Sequence, residues 1–229
     1  MIYCMSDIHG NLLSYQTMLR MIRFTENDTL YILGDIVDRG YGGMEILLDM
    51  MRRPNIVPIL GNHDDMAYRA LNELYHEPER FPQNPQETDT WLCLGGIPTL
   101  QEFQRLKNDD KEAILRYLAS FSLYKEVTVG DRRFVLVHTG PGDFSPDKPL
   151  SAYSRDDLLW ACTDYEEVYY PDKHLVTGHT PTRRIRLMID GCSNDMIFIR
   201  DHHIAIDCGS GIGGLLGAIC LDTFETFYA

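Results

Sequence analysis

Three short polar motifs in this sequence carry side chains that bind metals and move protons. Each motif directly follows a short apolar run, at residues 2–5, 29–33 and 56–60, of the kind that forms a buried β-strand. Open α/β folds bind ligands where their strands end, so chemistry is expected there. The motifs are Ser6-Asp7-Ile8-His9-Gly10, Gly34-Asp35-Ile36-Val37-Asp38-Arg39-Gly40 and Gly61-Asn62-His63-Asp64.

The spacing of these motifs predicts that they meet in the folded chain. Asp35 lies 28 positions after Asp7, and Asn62 lies 27 positions after Asp35, which is close to the length of one strand–helix repeat. Together with His9 and His63, these residues should therefore lie along one edge of a parallel sheet. Carboxylate, imidazole and amide groups favour divalent manganese, iron or zinc over a soft thiolate site.

The elements that must position the motifs follow from apolar periodicity. Helical patterns follow the first two motifs, over residues 12–24 and 44–51, and a third helix is predicted over residues 66–75. Strand and helix therefore alternate to about residue 60. Near the other end, residues 127–129 and 134–137 flank a Gly-Asp turn and predict a hairpin that ends at His138.

Residues 77–123 interrupt this alternation. Prolines mark a loop, and helical patterns follow around Trp91, Phe103 and residues 113–121. We interpret the segment as a helical insertion in one domain that spans residues 1–229. Two placements stay open: the segment either shapes the mouth of the site or supports the core on the far side.

Composition narrows the class of protein. The chain has 229 residues and a net charge of −13, which argues against a nucleic-acid backbone or an anionic membrane as the main partner. Its six cysteines have no metal-type or disulfide-framework spacing and are expected to be reduced and mostly structural. The first apolar run starts at Met1 or Ile2, so no signal peptide is expected and a cytoplasmic location is predicted.

Two later motifs complete a family pattern. They are Val137-His138-Thr139-Gly140 and Thr177-Gly178-His179-Thr180-Pro181. With the three earlier motifs, and in the same order, they resemble the phosphoprotein phosphatase family of calcineurin-like metallophosphoesterases. The resemblance is strongest to the short bacterial and phage serine/threonine phosphatases.

This resemblance implies both a fold and an activity. The expected fold is a four-layer α/β/β/α sandwich with the site at strand ends along one rim. The expected reaction is hydrolysis of a phosphate monoester by a metal-bound hydroxide, with phosphoserine, phosphothreonine or phosphotyrosine of a protein, or a small phosphoester, as substrate. One alternative is hydrolysis of a symmetric dinucleoside tetraphosphate, and a more distant one is an inactive metal-binding scaffold.

The resemblance also assigns a role to each motif residue. His63 is expected to be the general acid, oriented by Asp38, while Arg39 binds the phosphate. Two divalent ions are expected, manganese first, with iron or zinc as alternatives. Their expected ligands are Asp7, His9 and Asp35 for one ion, and Asp35, Asn62, His138 and His179 for the other.

One position departs from the family pattern. Short members of the family often place a second phosphate-binding arginine two residues after a tryptophan, but here Trp160 is followed by Ala161 and Cys162. Cys162 is expected to be a core thiol. Three other arginines could take over the missing contact, and the sequence does not choose among them: Arg155, Arg183 and Arg184.

Overall fold

Two five-stranded β-sheets and eight α-helices build the computed structural model, which describes residues 1–229. The strands are β1 (Ile2–Met5), β2 (Thr29–Leu33), β3 (Ile56–Ile59), β4 (Tyr124–Val129), β5 (Arg132–Val137), β6 (His174–Thr177), β7 (Phe198–Arg200), β8 (His203–Ala205), β9 (Gly217–Cys220) and β10 (Thr226–Tyr228). The helices are α1 (Leu12–Met21), α2 (Gly43–Met51), α3 (Asn62–His76), α4 (Pro85–Trp91), α5 (Ile97–Arg105), α6 (Asn108–Ala119), α7 (Arg155–Leu159) and α8 (Thr182–Ile189).

The first sheet has the order β10-β9-β1-β2-β3. Strands β1, β2 and β3 are parallel neighbours, with Met5 opposite Ile32 and Leu33 opposite Ile59. Their carboxyl ends therefore lie side by side, which is the arrangement that the motif spacing predicts. Strand β9 closes the other side of β1 in the antiparallel sense.

The second sheet has the order β4-β5-β6-β8-β7. Strands β4 and β5 form the predicted antiparallel hairpin, and β5, β6 and β8 run parallel to one another. Because β5 and β6 are parallel, the residues that follow them, His138 and the Gly178–His179 turn, lie at the same edge. The second sheet thus places two imidazole groups at the ends of its strands, as the first sheet places carboxylates at the ends of its own strands.

Apolar side chains fill three spaces between four layers. Between the two sheets lies a buried cluster that includes Cys4 and Leu33 from the first sheet and Phe134 and Leu136 from the second. A larger cluster joins the outer face of the first sheet to helices α1, α2, α3, α5 and α6. The outer face of the second sheet is covered by the segment 150–169 and by α8. The predicted α/β/β/α sandwich is confirmed.

The segment 77–123 fits both of the placements left open by the sequence. Phe103, Ile114 and Leu118 belong to the largest apolar cluster, so the segment supports the core. It also reaches the edge of the first sheet where β1, β2 and β3 end and the polar motifs follow. There the carbonyl oxygen of Gly95 accepts the backbone N–H of Arg39 at 2.8 Å. Its description as an insertion stays a prediction.

Helix α3 begins four residues earlier than predicted, at Asn62 instead of Met66. The Asp64 carboxylate accepts the backbone N–H of Gly61 at 3.2 Å and so caps the first turn. Asn62 and His63 therefore stand on a helix rather than on a loop. This difference matters because a helical backbone fixes the direction of both side chains.

The expectation for Cys162 is wrong. Its side chain is exposed, because it lies in the irregular loop that follows α7 and lines an open cleft, and the nearby Trp160 is 43% exposed. All six cysteines are free thiols; Cys4, Cys208 and Cys220 are buried, whereas Cys93 and Cys192 are exposed like Cys162. No helix has the length and apolar composition needed to cross a membrane. The cytoplasmic location stays a prediction.

Candidate active site

Asp35 lies at the centre of the candidate site, where the strands of the two sheets end, with imidazole groups on both sides of its carboxylate. Its Oδ2 lies 3.6 Å from Nε2 of His9, and its Oδ1 lies 3.4 Å from Nε2 of His138. The backbone N–H of His63 donates to the same Oδ1 at 3.0 Å. The carboxylate is buried and faces two separate groups of acceptor atoms, so it is placed to be shared between two cations.

The first group contains Asp7 and His9. The Nδ1 of His9 donates to the carbonyl oxygen of Val37 at 3.1 Å, which leaves the Nε2 lone pair directed at the carboxylates. The Oδ2 of Asp7 accepts the hydroxyl of Ser6 and the backbone N–H of His179, the latter at 3.0 Å. Its Oδ1 remains 3.9 Å from Nε2 of His9.

The second group contains Asn62, His138 and His179. The Oδ1 of Asn62 lies 2.9 Å from Nε2 of His138 and 3.0 Å from Nδ1 of His179, and these two nitrogens are 3.2 Å apart. The Nδ1 of His138 donates to the carbonyl oxygen of Leu33 at 2.7 Å, so its Nε2 is an acceptor in the neutral ring. Oδ1 of Asn62 and Nε2 of His138 are thus two acceptors 2.9 Å apart, an arrangement that a cation beside them would stabilise.

Burial sets the charge of these imidazoles. It lowers the pKa of His9 to about 3, and burial together with His138 lowers the pKa of His179 to about 4. Both rings are therefore neutral near pH 7 and free to ligate a metal. Burial works the other way on Asp35, but the surrounding imidazoles outweigh it and hold the pKa of Asp35 well below its usual range.

This donor set fits two divalent cations. One group offers carboxylate and imidazole, the other offers an amide oxygen and two imidazoles, and Asp35 faces both. His63 is a further potential ligand in the first group, because one of its ring nitrogens lies within 4.8 Å of the ligand atoms of His9 and Asp35. However, the guanidinium Nη2 of Arg39 is 3.2 Å from Nε2 of His63, and that positive charge opposes a metal ion at the same nitrogen.

His63 is instead tied to Asp38. The Nδ1 of His63 donates to Oδ2 of Asp38 at 2.8 Å, and both side chains are buried. Burial alone lowers the pKa of His63, but the charges of Asp35 and Asp38 outweigh it and raise that pKa. An imidazole that holds its proton more firmly and lies beside the metal-binding groups can act as a proton donor.

Left-handed backbone is concentrated at this edge. Ten residues other than glycine have a positive φ, and six of them belong to the site. Such conformations persist only where surrounding contacts enforce them, and they cluster at active sites and ligand clamps. The six are Asp7, His9, Asp35, Asp38, Arg39 and His179.

Asp64 has a structural role that the motif pattern did not assign to it. The buried carboxylate accepts the backbone N–H groups of Asp35 at 2.8 Å and Ile36 at 2.9 Å, besides that of Gly61. It therefore holds the second motif against the start of α3. An acidic residue at the third position of a helix is a capping signal, and this signal could have identified Asp64.

The three candidate arginines differ in their partners. Arg155 is paired with Asp65, with Nε 3.0 Å from Oδ1, and Arg183 is paired with Asp195. Arg184 has no carboxylate within 4.0 Å and lines a cleft of about 520 Å³ together with His179. Of the three arginines, Arg184 is thus the one whose guanidinium is free to bind an anion at the site.

A second cleft, of about 600 Å³, is lined by His9 and Arg39. Tyr41 stands in its wall and is 60% exposed, although its hydroxyl donates to Gln101 at 2.8 Å. Leu13 on α1 lies in the same wall and is more exposed still. The approach to Arg39 is therefore partly apolar.

Comparison with known proteins gives one family and two kinds of relative. The sequence profile described as "Calcineurin-like phosphoesterase" matches residues 1–200. A protein from Salmonella typhimurium named serine/threonine-protein phosphatase 2 is 24% identical, over 87% of this chain and 92% of its own length. A protein from Paracidovorax citrulli named symmetrical bis(5'-nucleosyl)-tetraphosphatase is 30% identical over 61% of this chain, which spans only 44% of that relative.

Solved structures share the fold. One crystal structure, described provisionally as a diadenosine tetraphosphatase, has a TM-score of 0.67 at 17% identity and is matched over 100% of this chain and 92% of its own. A protein serine/threonine phosphatase from Saccharomyces cerevisiae has a TM-score of 0.58 at 16% identity, over 100% of this chain and 79% of its own. At such identities the likeness concerns the fold alone.

Proposed function

This chain belongs to the calcineurin-like phosphoesterase family, and on that premise we propose that it is a dinuclear-metal phosphatase that hydrolyses phosphate monoesters in proteins. The observation that carries the proposal is the shared position of Asp35 between two groups of metal-ligand atoms, with His63, Asp38 and Arg39 beside them. A binding scaffold would need the metal ligands, but it would have no use for a buried imidazole–carboxylate pair next to them.

The proposed ligands are those named by the sequence. Asp7, His9 and Asp35 would hold one ion, and Asp35, Asn62, His138 and His179 the other. When bound, two such cations supply Lewis-acid charge that activates a water molecule and stabilises the phosphoryl oxygens. We propose manganese, because Mg²⁺ prefers oxygen ligands and this set contains three imidazoles.

The protein's own residues would complete the reaction. As the water oxygen forms its bond to phosphorus and the ester P–O bond breaks, the leaving oxygen takes a proton from Nε2 of His63. Asp38 accepts from Nδ1 of the same ring and keeps that Nε2 directed at the leaving group. Arg39 and Arg184 line different clefts and would each bind phosphoryl oxygens through their guanidinium groups.

Two observations support a protein substrate. The relative named as a protein phosphatase is matched over nearly its whole length, whereas the relative named as a tetraphosphatase is matched over less than half. The cleft next to Arg39 also presents Tyr41 and Leu13, which are partly apolar surfaces suited to the residues around a phosphorylated side chain.

A symmetric dinucleoside tetraphosphate is the second candidate substrate. It is favoured by the name of the 30% identical relative and by the description of the structure with a TM-score of 0.67. The same catalytic residues would serve this reaction, with a nucleotide as the leaving group.

A substrate panel tests the proposal. The protein is freed of metal, reloaded with Mn²⁺ or Mg²⁺, and assayed with phosphoserine and phosphotyrosine peptides, small phosphomonoesters and diadenosine tetraphosphate. We expect no activity without metal, higher activity with Mn²⁺ than with Mg²⁺, and the highest kcat/KM on a phosphopeptide. The highest kcat/KM on the dinucleotide would establish the second candidate, and no turnover of any substrate would contradict both.

A further inference from the structure

We propose that Trp91 and Thr99 are positioning residues for the general acid, because they fix the carboxylate of Asp38 that orients His63. The inference rests on the proposed function and adds to it two residues from the segment 77–123. Neither residue belongs to the motifs that define the site, and neither lies near Asp38 in sequence.

The contacts to Asp38 are short and direct. The indole Nε1 of Trp91 donates to Oδ2 of Asp38 at 2.9 Å and lies 3.1 Å from Oδ1. The hydroxyl of Thr99 donates to Oδ1 at 2.7 Å, and the hydroxyl oxygen in turn accepts the backbone N–H of Asp38 at 2.9 Å. With the 2.8 Å bond from His63, all donors to this carboxylate come from three fixed side chains.

All of the partners are buried. Asp38 and Thr99 have no solvent exposure, and Trp91 is 1% exposed. A buried carboxylate with two oxygens held in this way cannot rotate without breaking a hydrogen bond in a site of low polarity, which is costly. The plane of the carboxylate, and with it the direction of the His63 ring, is therefore set by Trp91 and Thr99.

The turn that joins α4 to α5 places the indole of Trp91 next to the carboxylate of Asp38. Residues 92–96 join the two helices through a kink in which Gly95 has a non-helical backbone with a φ of 121°. The carbonyl oxygen of Gly95 accepts the backbone N–H of Arg39, and a Cβ on Gly96 would collide with the indole ring of Trp91.

Two substitutions remove the donors while conserving shape. Trp91→Phe removes the indole N–H, and Thr99→Val removes the hydroxyl and is nearly isosteric. Trp160→Phe and Thr88→Val are the matched controls, because neither side chain contacts Asp38. All are assayed with Mn²⁺ on phenyl phosphate, whose leaving group needs a proton, and on 2,4-dinitrophenyl phosphate, whose leaving group does not.

We expect each of the two variants to lower kcat on phenyl phosphate about 10-fold, and kcat on the dinitrophenyl ester less than about threefold. KM and metal content should stay as in the wild type, and Thr99→Ser, which keeps the hydroxyl, should restore the rate. Combined with His63→Asn, neither substitution should lower kcat further, because the ring that they orient is gone.

Several results would overturn the inference. Equal losses on both esters, or losses that add to that of His63→Asn, would mean that Trp91 and Thr99 only support the fold. Variants that match the controls would also refute it while leaving the proposed function intact. A wild-type protein that hydrolyses neither ester would overturn the function and the inference together. If Trp91→Phe does not fold, as judged by thermal unfolding, Thr99→Val decides alone.

Discussion

The strand-end loops and the segment 91–99 meet around His63, the proposed proton donor, but they contribute different kinds of chemical group. The loops after β1, β2 and β3 carry carboxylates, imidazoles and a guanidinium. The segment 91–99 carries none of these groups and supplies an indole N–H, a hydroxyl and a carbonyl oxygen. The charged groups of this site come from the loops, whereas the donors that orient the Asp38 carboxylate come from the distant segment 91–99.

The two regions also differ in how they are stabilised. The loops hold themselves in left-handed backbone conformations by bonds to one another, such as those from the Asp35 and Ile36 N–H groups to Asp64. The segment 91–99 is anchored by apolar burial, since Trp91 packs in the largest core cluster. A substitution at a proposed metal ligand in the loops should therefore change the metals, whereas a substitution in the segment should change only the proton transfer.

The largest expected effect comes from the shared ligand. In Asp35→Asn, the negative charge between the two groups is lost, so we expect both metals to be lost and, with them, activity on every substrate. His138→Asn and His179→Asn should also lose metal and reduce all substrates together. Elemental analysis beside rates on both classes of ester checks this. Retention of both metals in Asp35→Asn would refute the assignment of Asp35 as a bridge.

A smaller effect is expected at the cleft that Arg184 and His179 line. Arg184 is free of carboxylate partners and lies near His179, so Arg184→Gln should raise KM for phosphomonoesters about 10-fold with kcat little changed. Arg186→Gln on the same helix is the control, because Arg186 is engaged with the carbonyl oxygen of Ile197 at 2.7 Å. Steady-state kinetics of the two variants decides the matter, and equal KM values in both would exclude Arg184 from substrate binding.

The smallest effect on activity is expected at His203, a buried histidine outside the site. Burial lowers its pKa to about 4, although the charge of Asp164 opposes this. Because the unfolded state keeps a pKa near 6.5, unfolding takes up a proton as pH falls from about 6.5 to about 4, so folding stability is lost across that window.

Substitution of this histidine should remove that acid sensitivity. His203→Phe keeps the aromatic contact with Tyr165, whose ring centroid is 4.7 Å away. Between pH 7 and pH 4.5, the wild type should lose about 2 kcal/mol more unfolding free energy than the variant. Urea unfolding at both pH values measures this difference. Parallel losses in the two proteins would show that His203 does not titrate as its burial requires.

Short motifs made much of the site predictable. Each motif ends a strand, and the parallel order of β1, β2 and β3 follows from their repeat length, so the sequence alone suffices to bring Asp7, Asp35 and Asn62 together. The hairpin before His138 was equally clear, because apolar residues flank a strong Gly-Asp turn signal. The four-layer fold followed from the family resemblance.

The remaining features depend on contacts between distant residues. Trp91 and Thr99 lie 53 and 61 positions from Asp38, and no periodicity in the sequence connects an indole to a carboxylate over such a distance. The pairing of Arg155 with Asp65, 90 positions away, is of the same kind, and it leaves Arg184 as the free cation. The exposure of Cys162 was missed because nothing in a loop sequence states whether another element covers it.

The substitution His63→Asn tests the central claim most directly, namely that His63 donates a proton and does not bind metal. The variant should retain both metals and lose roughly 10²–10⁴-fold in kcat on esters with poor leaving groups, but much less on an activated aryl phosphate. Asp38→Asn should give the same pattern more weakly, because Asp38 acts through the ring. Metal content by elemental analysis is the deciding measurement: two metals per chain would support the account, and one missing metal would make His63 a ligand and contradict it.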